Sequence, residues 1–154
     1  MNNNDIFRRL QNILNLDTVK MMEVFSFTNL KADKDQINSW LKNVDDPGYL
    51  KIGDHHLTPF LNGLIDYKRG KKEDSVPGVA KRLNNNIIFT KLKIAFNLKA
   101  DDILEIMSLA DFPIRKLELS AFFRKPENKH YRECKDDVLE RFFRGLEKHY
   151  CSKS

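Results

Sequence analysis

The chain has 154 residues, with 27 Lys plus Arg against 22 Asp plus Glu and a net charge of +5, a length that suits one ordinary domain or two small ones. Hydrophobic residues make up 41% and aromatics 10%, including 11 Phe, which supplies a core and excludes a disordered chain. No apolar run approaches the roughly 18 residues that span a bilayer, and the polar start Met1-Asn2-Asn3-Asn4 has neither the basic flank nor the apolar stretch of a signal peptide, so a cytoplasmic protein with no membrane partner is expected.

Sliding the sequence along itself by 82 positions lays Asn2-Asn3-Asn4 on Asn84-Asn85-Asn86, Phe7 on Phe89, Leu10 on Leu92 and Asn15-Leu16 on Asn97-Leu98. The register then holds without a gap through Glu23 and Glu105, Tyr49 and Tyr131, Asp54 and Asp136, Phe60 and Phe142, and Gly63-Leu64 and Gly145-Leu146. Self-similarity at a fixed offset marks duplicated architecture. The expected organisation is a first repeat over residues 1–70, a linker over 71–82 and a second repeat over 83–154.

Each repeat carries four helical patterns. In helix one, Ile6, Phe7, Leu10, Ile13 and Leu14 share one face, and Ile88, Phe89, Leu92, Ala95 and Phe96 repeat the spacing. The Asn triplets stand immediately before it, where a short amide side chain caps the first turn. Capping accounts for one Asn of each three; the others are read as tying down the chain end, with a polar site as the alternative.

Helix two is expected near Thr18 to Thr28 and Asp101 to Ala110, with Met21, Met22 and Phe25 matched by Ile103, Leu104 and Met107 as core. Asp101, Asp102 and Glu105 are read as first-turn acids favoured by the helix dipole rather than as metal ligands. Helix three starts after Asp33, whose spacing to Gln36 forms a capping box, and turns Ile37, Trp40 and Leu41 inward, as Leu119, Phe122 and Phe123 do in the second repeat. Opposite that face, Lys34, Asn38 and Lys42 and their twins Lys116, Ser120 and Arg124 fall at i, i+4 and i+8, the spacing of an exposed stripe of donors.

Helix four begins near Asp54 and Asp136, read as N-caps, and buries Leu57, Phe60, Leu61 and Leu64, or Leu139, Phe142, Phe143 and Leu146. Pro59 is expected near its start or at a kink. Gly63 and Gly145 lie within the helical pattern, where Gly costs about 1 kcal/mol relative to Ala. A close backbone approach offsets that cost, and the corresponding helix of the other repeat is one candidate neighbour.

Between the repeats, Lys68, Arg69, Lys71, Lys72, Lys81 and Arg82 make a basic, Gly- and Pro-containing linker. No nucleophile elbow, phosphate-binding Gly-rich loop or paired-His metal motif occurs. His55 and His56 are adjacent and so diverge by about 100 degrees on a helix, while His130 and His149 have no evident partners. Cys134, at the position of Ile52, reads as a small core residue, and Cys151 sits in a tail. No catalytic residue, cofactor or metal is expected.

At whole-chain level the sequence resembles the bacterial YehS-like family, small duplicated proteins classed as a domain of unknown function. The resemblance runs over nearly all of residues 1–150, through the Asn triplets, Phe60-Leu61-Asn62-Gly63-Leu64-Ile65, Lys68-Arg69-Gly70-Lys71-Lys72, the segment from Leu117 to Pro126 and Tyr131-Arg132-Glu133-Cys134. It implies no activity.

Helix two, a short turn and helix three have the proportions of a helix-turn-helix, so the expected fold is all-α, a tandem duplication of a four-helix, helix-turn-helix-like unit. The turn lacks the usual Gly in both repeats, and Arg115 stands where a capping residue belongs. The leading functional expectation is binding to DNA or RNA. The N-terminal part of helix three would enter a major groove, where Asn38 would read a base edge. Lys34, Lys42, Lys116, Arg124 and the linker bases Lys68, Arg69, Lys71 and Lys72 would neutralise phosphates, with Ser120 on the same donor stripe as Lys116 and Arg124. The competing expectation is a module that binds another protein, because Asp33, Asp35, Asp45 and Asp46 surround helix three of the first repeat and repel phosphates.

Overall fold

The computed structural model describes residues 1–69 and 82–151. Those residues form eight helices and no strand: α1 (Asn3–Leu14), α2 (Thr18–Ser26), α3 (Lys34–Leu41), α4 (Asp54–Arg69), α5 (Asn85–Ala95), α6 (Ala100–Leu109), α7 (Lys116–Phe122) and α8 (Asp136–Cys151). The chain divides into two compact units, Met1–Leu83 and Asn84–Ser154. Leu83 closes the first by donating its N–H to Asp54 Oδ2 at 3.1 Å. Residues 71–81 of the expected linker lie outside the described residues.

The duplication extends to individual backbone bonds. Leu50 N donates to Ser39 O, and Arg132 N to Ala121 O, both at 3.1 Å. Asn15, Asn29, Asn97 and Asp111 all have positive φ, between 52° and 60°, and they pair off at the same offset. Asn and Asp tolerate the left-handed region better than most side chains, so Asn29 and Asp111 let the chain turn after α2 and α6 without a Gly. The connections run over residues 27–33 and 110–115, longer than the turn read from the sequence because α2 stops at Ser26 rather than continuing to Thr28.

The apolar faces meet largely as the spacing predicts, although Leu14, Met22, Leu41, Leu104 and Phe123, expected in the core, are only half-buried. In the first unit Phe7, Phe25, Trp40 and Phe60 form one cluster, with Phe7 4.7 Å from Phe60 and Phe25 5.2 Å from Phe60 between ring centroids. In the second, Phe89 is the hub, 4.5 Å from Phe142 and 4.9 Å from Phe123. Met107 takes the place of Phe25 and is equally buried. Val24 and Ile106, which the helix-two pattern overlooks, are also core residues.

The two helical glycines face a different neighbour from the one suggested by the duplication. A Cβ at Gly63 would overlap the carbonyl oxygen of Val24 in α2, and one at Gly145 would overlap that of Ile106 in α6. Each repeat is therefore closed internally, helix four on helix two, and the close approach does not involve the other repeat. Pro59 lies inside α4 without ending it. Its carbonyl accepts from Thr28 Oγ1 at 3.3 Å; in the second repeat Arg141 Nη1 ties the same place together by donating to Ala110 O at 3.1 Å.

All three residues of each Asn triplet have separate structural work. Asn2 and Asn84 are the N-caps of α1 and α5, accepting from Asp5 N and Ile87 N at 2.8 Å. Asn3 donates to Ile52 O and Asp54 Oδ1, and Asn85 to Cys134 O and Asp136 Oδ1. Asn4 is buried and makes three bonds: Nδ2 donates to Trp40 O (3.0 Å) and Leu50 O (2.8 Å), and Oδ1 accepts from Ile52 N (3.2 Å). Asn86 does the same with Phe122 O, Arg132 O and Cys134 N. The triplets thus hold the long connection between helices three and four. Asp54 and Asp136 are first-turn residues of α4 and α8 rather than N-caps, and their carboxylates accept from Asn3 and Asn85.

Candidate nucleic-acid interface

The donor stripe predicted on helix three does not survive as a continuous helical row. α3 ends at Leu41 and α7 at Phe122, so Lys42 and Arg124, the i+8 members, lie beyond the helices and the i, i+4, i+8 geometry stops short of them. Lys34, Asn38, Lys42, Lys116 and Arg124 are exposed, whereas Ser120 is half-buried and donates its hydroxyl back to Leu117 O at 2.8 Å. Lys42 adopts an extended backbone, and its carbonyl accepts from Arg8 Nη2 at 2.9 Å.

The second repeat brings its members together. Lys116, Ser120 and Arg124 line one hollow with Lys93 from the last turn of α5, over a floor that includes Leu119 and Phe123. Its lining holds three cations and, among the described residues, no carboxylate. Lys93 Nζ sits 5.4 Å from the centre of the Phe123 ring, close enough for a cation–π contact that fixes the ammonium at the rim. Lys116 Nζ is 3.5 Å from Asp101 Oδ1, but both side chains are largely exposed (68% and 83%), so the pair is weak and exchangeable.

The first repeat arranges the same place differently. Gln11, Thr18 and Asn38 stand where the second has Lys93, Ala100 and Ser120. Thr18 Oγ1 donates to Asn38 Oδ1 at 3.2 Å, bridging α2 and α3 and engaging the acceptor end of the amide proposed to read a base. Asp33 caps α3 through Gln36 N at 2.8 Å, as the capping box predicts, and Asp46 Oδ1 accepts from Gly48 N.

Arg124 also lines a second hollow, on the other side of α7, with Lys129, His130, Tyr131 and Arg132. Sequence reasoning missed Lys93, Lys129 and Arg132. The signal for the last two was present at the 82-residue offset, where Pro47, Gly48 and Leu50 are replaced by Lys129, His130 and Arg132. Lys68 is exposed on α4 and Arg69 is its final residue, while Lys71 and Lys72 lie outside the described residues.

The other titratable candidates have plain surroundings. Cys134 is buried, and burial together with Asp137 and Asp136 pushes its thiol up to about 12. The rings of His55 and His56 are in contact, 4.3 Å between centroids, so adjacency does not keep them apart. Burial and then His55 lower the pKa of His56, which stacks 4.8 Å from Trp40. No group of three or more His, Cys, Asp or Glu is placed to hold a metal ion among the described residues.

A family model described as "Protein of unknown function (DUF1456)" matches the chain twice, over residues 3–70 and 85–150. The chain belongs to this family. The two DUF1456 matches coincide with the two four-helix sets, so the structural repeat is also the family's repeating unit. The chain is 42% identical over 148 residues, covering 95% of its own length and 94% of the relative, to a protein described as "Uncharacterized protein YehS" from Escherichia coli (strain K12). No solved structure matches the chain significantly. No described helix is long and apolar enough to cross a membrane.

Proposed function

We propose that this DUF1456 protein is a cytoplasmic nucleic-acid-binding protein whose contacts are made by the helix-three face, a non-catalytic role built on a helix-turn-helix-like pair of helices. The observation that carries the reading is the hollow where Lys93, Lys116 and Arg124 converge with Ser120 on α7. Three cations around one concavity with no lining carboxylate suit a phosphate, and phosphate contacts supply most of the affinity of such proteins. The charge distribution agrees: residues 83–154 carry 14 basic and 11 acidic side chains, whereas residues 1–70 carry 9 of each.

The second reading is a protein-binding module, favoured by Leu117, which is 78% exposed on α7, and by the acids around α3. A salt-series titration against random duplex and single-stranded DNA separates the two. Nucleic-acid binding gives an affinity that falls linearly with log salt; absence of binding at low salt leaves the protein-partner reading.

A further inference from the structure

We infer that the second repeat takes single-stranded nucleic acid, with the backbone tracked by a band of cations around α7 and a base stacked in the hollow between α7 and the segment 129–132 that follows it. This rests on the nucleic-acid reading above and names its substrate class.

Three features point away from a helix laid in a duplex groove. α7 has seven residues, about 10 Å at 1.5 Å per residue. Its N-terminal part, which would meet base edges in a groove-reading helix, presents one cation, Lys116, followed by exposed Leu117 and Glu118. The other cations stand at its flanks: Lys93 on one side, Lys129 and Arg132 on the other, with Arg124 lining both hollows and joining them.

The second hollow, of about 390 Å³, adds aromatic surface to that charge through Tyr131 and His130, and its wall also includes Leu117 and one carboxylate, Glu118. A cationic track beside aromatic faces is the combination that binds single strands, because every base has a face to stack and phosphates follow the basic groove. Duplex DNA keeps its bases stacked on one another and offers nothing for Tyr131.

Comparison of the repeats indicates that Lys129, His130 and Arg132 are not required by the fold, whereas Tyr131 has Tyr49 at the equivalent place. His130 N donates to Asn128 Oδ1 and Gly48 N to Asp46 Oδ1, both at 2.8 Å, and the bonds that anchor Leu50 and Arg132 are likewise the same. One backbone scaffold therefore carries Pro47, Gly48 and Leu50 in the first repeat and Lys129, His130 and Arg132 in the second. The latter three are exposed, so the fold gains little from them, and their charge and aromatic character are available to a ligand.

The test uses the full chain and a fluorescein-labelled DNA strand of about 12 nucleotides, alone, annealed to its complement, and as an abasic strand of equal length. The single strand should bind about tenfold more tightly than the duplex at equal salt, and the abasic strand more weakly than the intact one. The Lys129→Ala/Arg132→Ala double variant should reduce the salt slope by up to about 1.4. Tyr131→Leu and His130→Ala should weaken binding without changing the slope, by about 5- to 150-fold where the ring stacks a base. Melting curves confirm that each variant folds, and Leu50→Ala, at the equivalent place in the first repeat, should leave binding unchanged. Duplex binding as tight as single-strand binding, or an abasic strand that binds equally well, overturns this inference and leaves the nucleic-acid reading standing. Absence of binding to every strand, or equal competition by poly-glutamate, overturns both and points to an acidic protein partner.

Discussion

Replacing Asn4 by Ala removes three hydrogen bonds at once, to Trp40 O, Leu50 O and Ile52 N, and leaves those backbone groups facing a small apolar side chain. At about 1 kcal/mol net for each bond the loss is about 3 kcal/mol. For a unit of this size that lowers the melting temperature by about 12 to 24 °C. Asn2→Ala, which removes only an exposed cap, should cost about 1 kcal/mol. The chain has a single Trp, Trp40, placed in the core of the first unit and bonded through its own carbonyl to Asn4, so intrinsic fluorescence during thermal or urea unfolding reports on this unit. Asn4→Asp should be at least as damaging at neutral pH, since it turns an oxygen toward the carbonyls of Trp40 and Leu50. The Asn86→Ala variant, followed by circular dichroism, should behave as Asn4→Ala does. Melting of Asn4→Ala within about 2 °C of Asn2→Ala would refute the assignment of the third Asn as the residue that anchors the long connection.

Gly63→Ala and Gly145→Ala should each destabilise by about 1 to 3 kcal/mol, because the added carbon meets a backbone carbonyl of helix two that cannot rotate away; wild-type melting in both would exclude the close approach. A thiol reagent at mildly alkaline pH should modify Cys151, which is exposed, and reach buried Cys134 only after denaturation; rapid labelling of both thiols in the folded chain would contradict the placement. The Cys134 thiol is raised from 9.0 to about 12 by burial and by Asp137 and Asp136. Its contribution to stability is therefore present below about pH 9 and is lost as pH rises from there toward 12, a loss that Cys134→Ala should abolish in alkaline melting series. His56 has the opposite sense: its lowered pKa means stability is lost as pH falls below 6.5, and His56→Val, copying Val138 of the second repeat, should flatten that acid limb.

Much of this architecture could be read from residue spacing. The faces running through Phe7, Phe25, Trp40 and Phe60 and their twins follow directly from helical periodicity, and the ungapped offset carries each assignment from one repeat to the other. A periodic face states that a residue must be buried but not which element covers it. For that reason Gly63 and Gly145 signalled a close contact without revealing that helix two supplies it. Helix two turns Val24 and Ile106 into the core and leaves Met22 and Leu104 half-buried, a small rotation of the face that adjacent apolar residues in a short helix do not specify. The surplus Asn residues have the structural role expected of them, but their partners are not legible for a similar reason: Asn4 and Asn86 bond to backbone groups 36 to 48 positions away, where sequence offers no side-chain code.

The candidate interface was half visible. Lys116, Ser120 and Arg124 were found by helical spacing, although Arg124 reaches its place from the segment after α7 and not from a further helical turn. Lys93 belongs to helix one of the second repeat and joins them only through tertiary packing. The replacement of Pro47, Gly48 and Leu50 by Lys129, His130 and Arg132 stood in the sequence throughout, and it gains meaning once both loops are known to share one backbone.

On the proposed reading, α7 and its flanks bind nucleic acid through phosphate contacts to a greater extent than α3 does. The measurement that tests it most directly compares two double variants, Lys116→Ala/Arg124→Ala and Lys34→Ala/Lys42→Ala, in salt-series titrations with the same single-stranded probe. Their charge changes are identical, so a general electrostatic effect treats them alike. The account predicts that the second-repeat variant loses up to about 1.4 units of slope in log affinity against log salt, while the first-repeat variant retains a slope close to that of the wild-type chain. Equal slopes for the two variants, whether reduced or at the wild-type value, or no binding by the wild type at low salt, would contradict it.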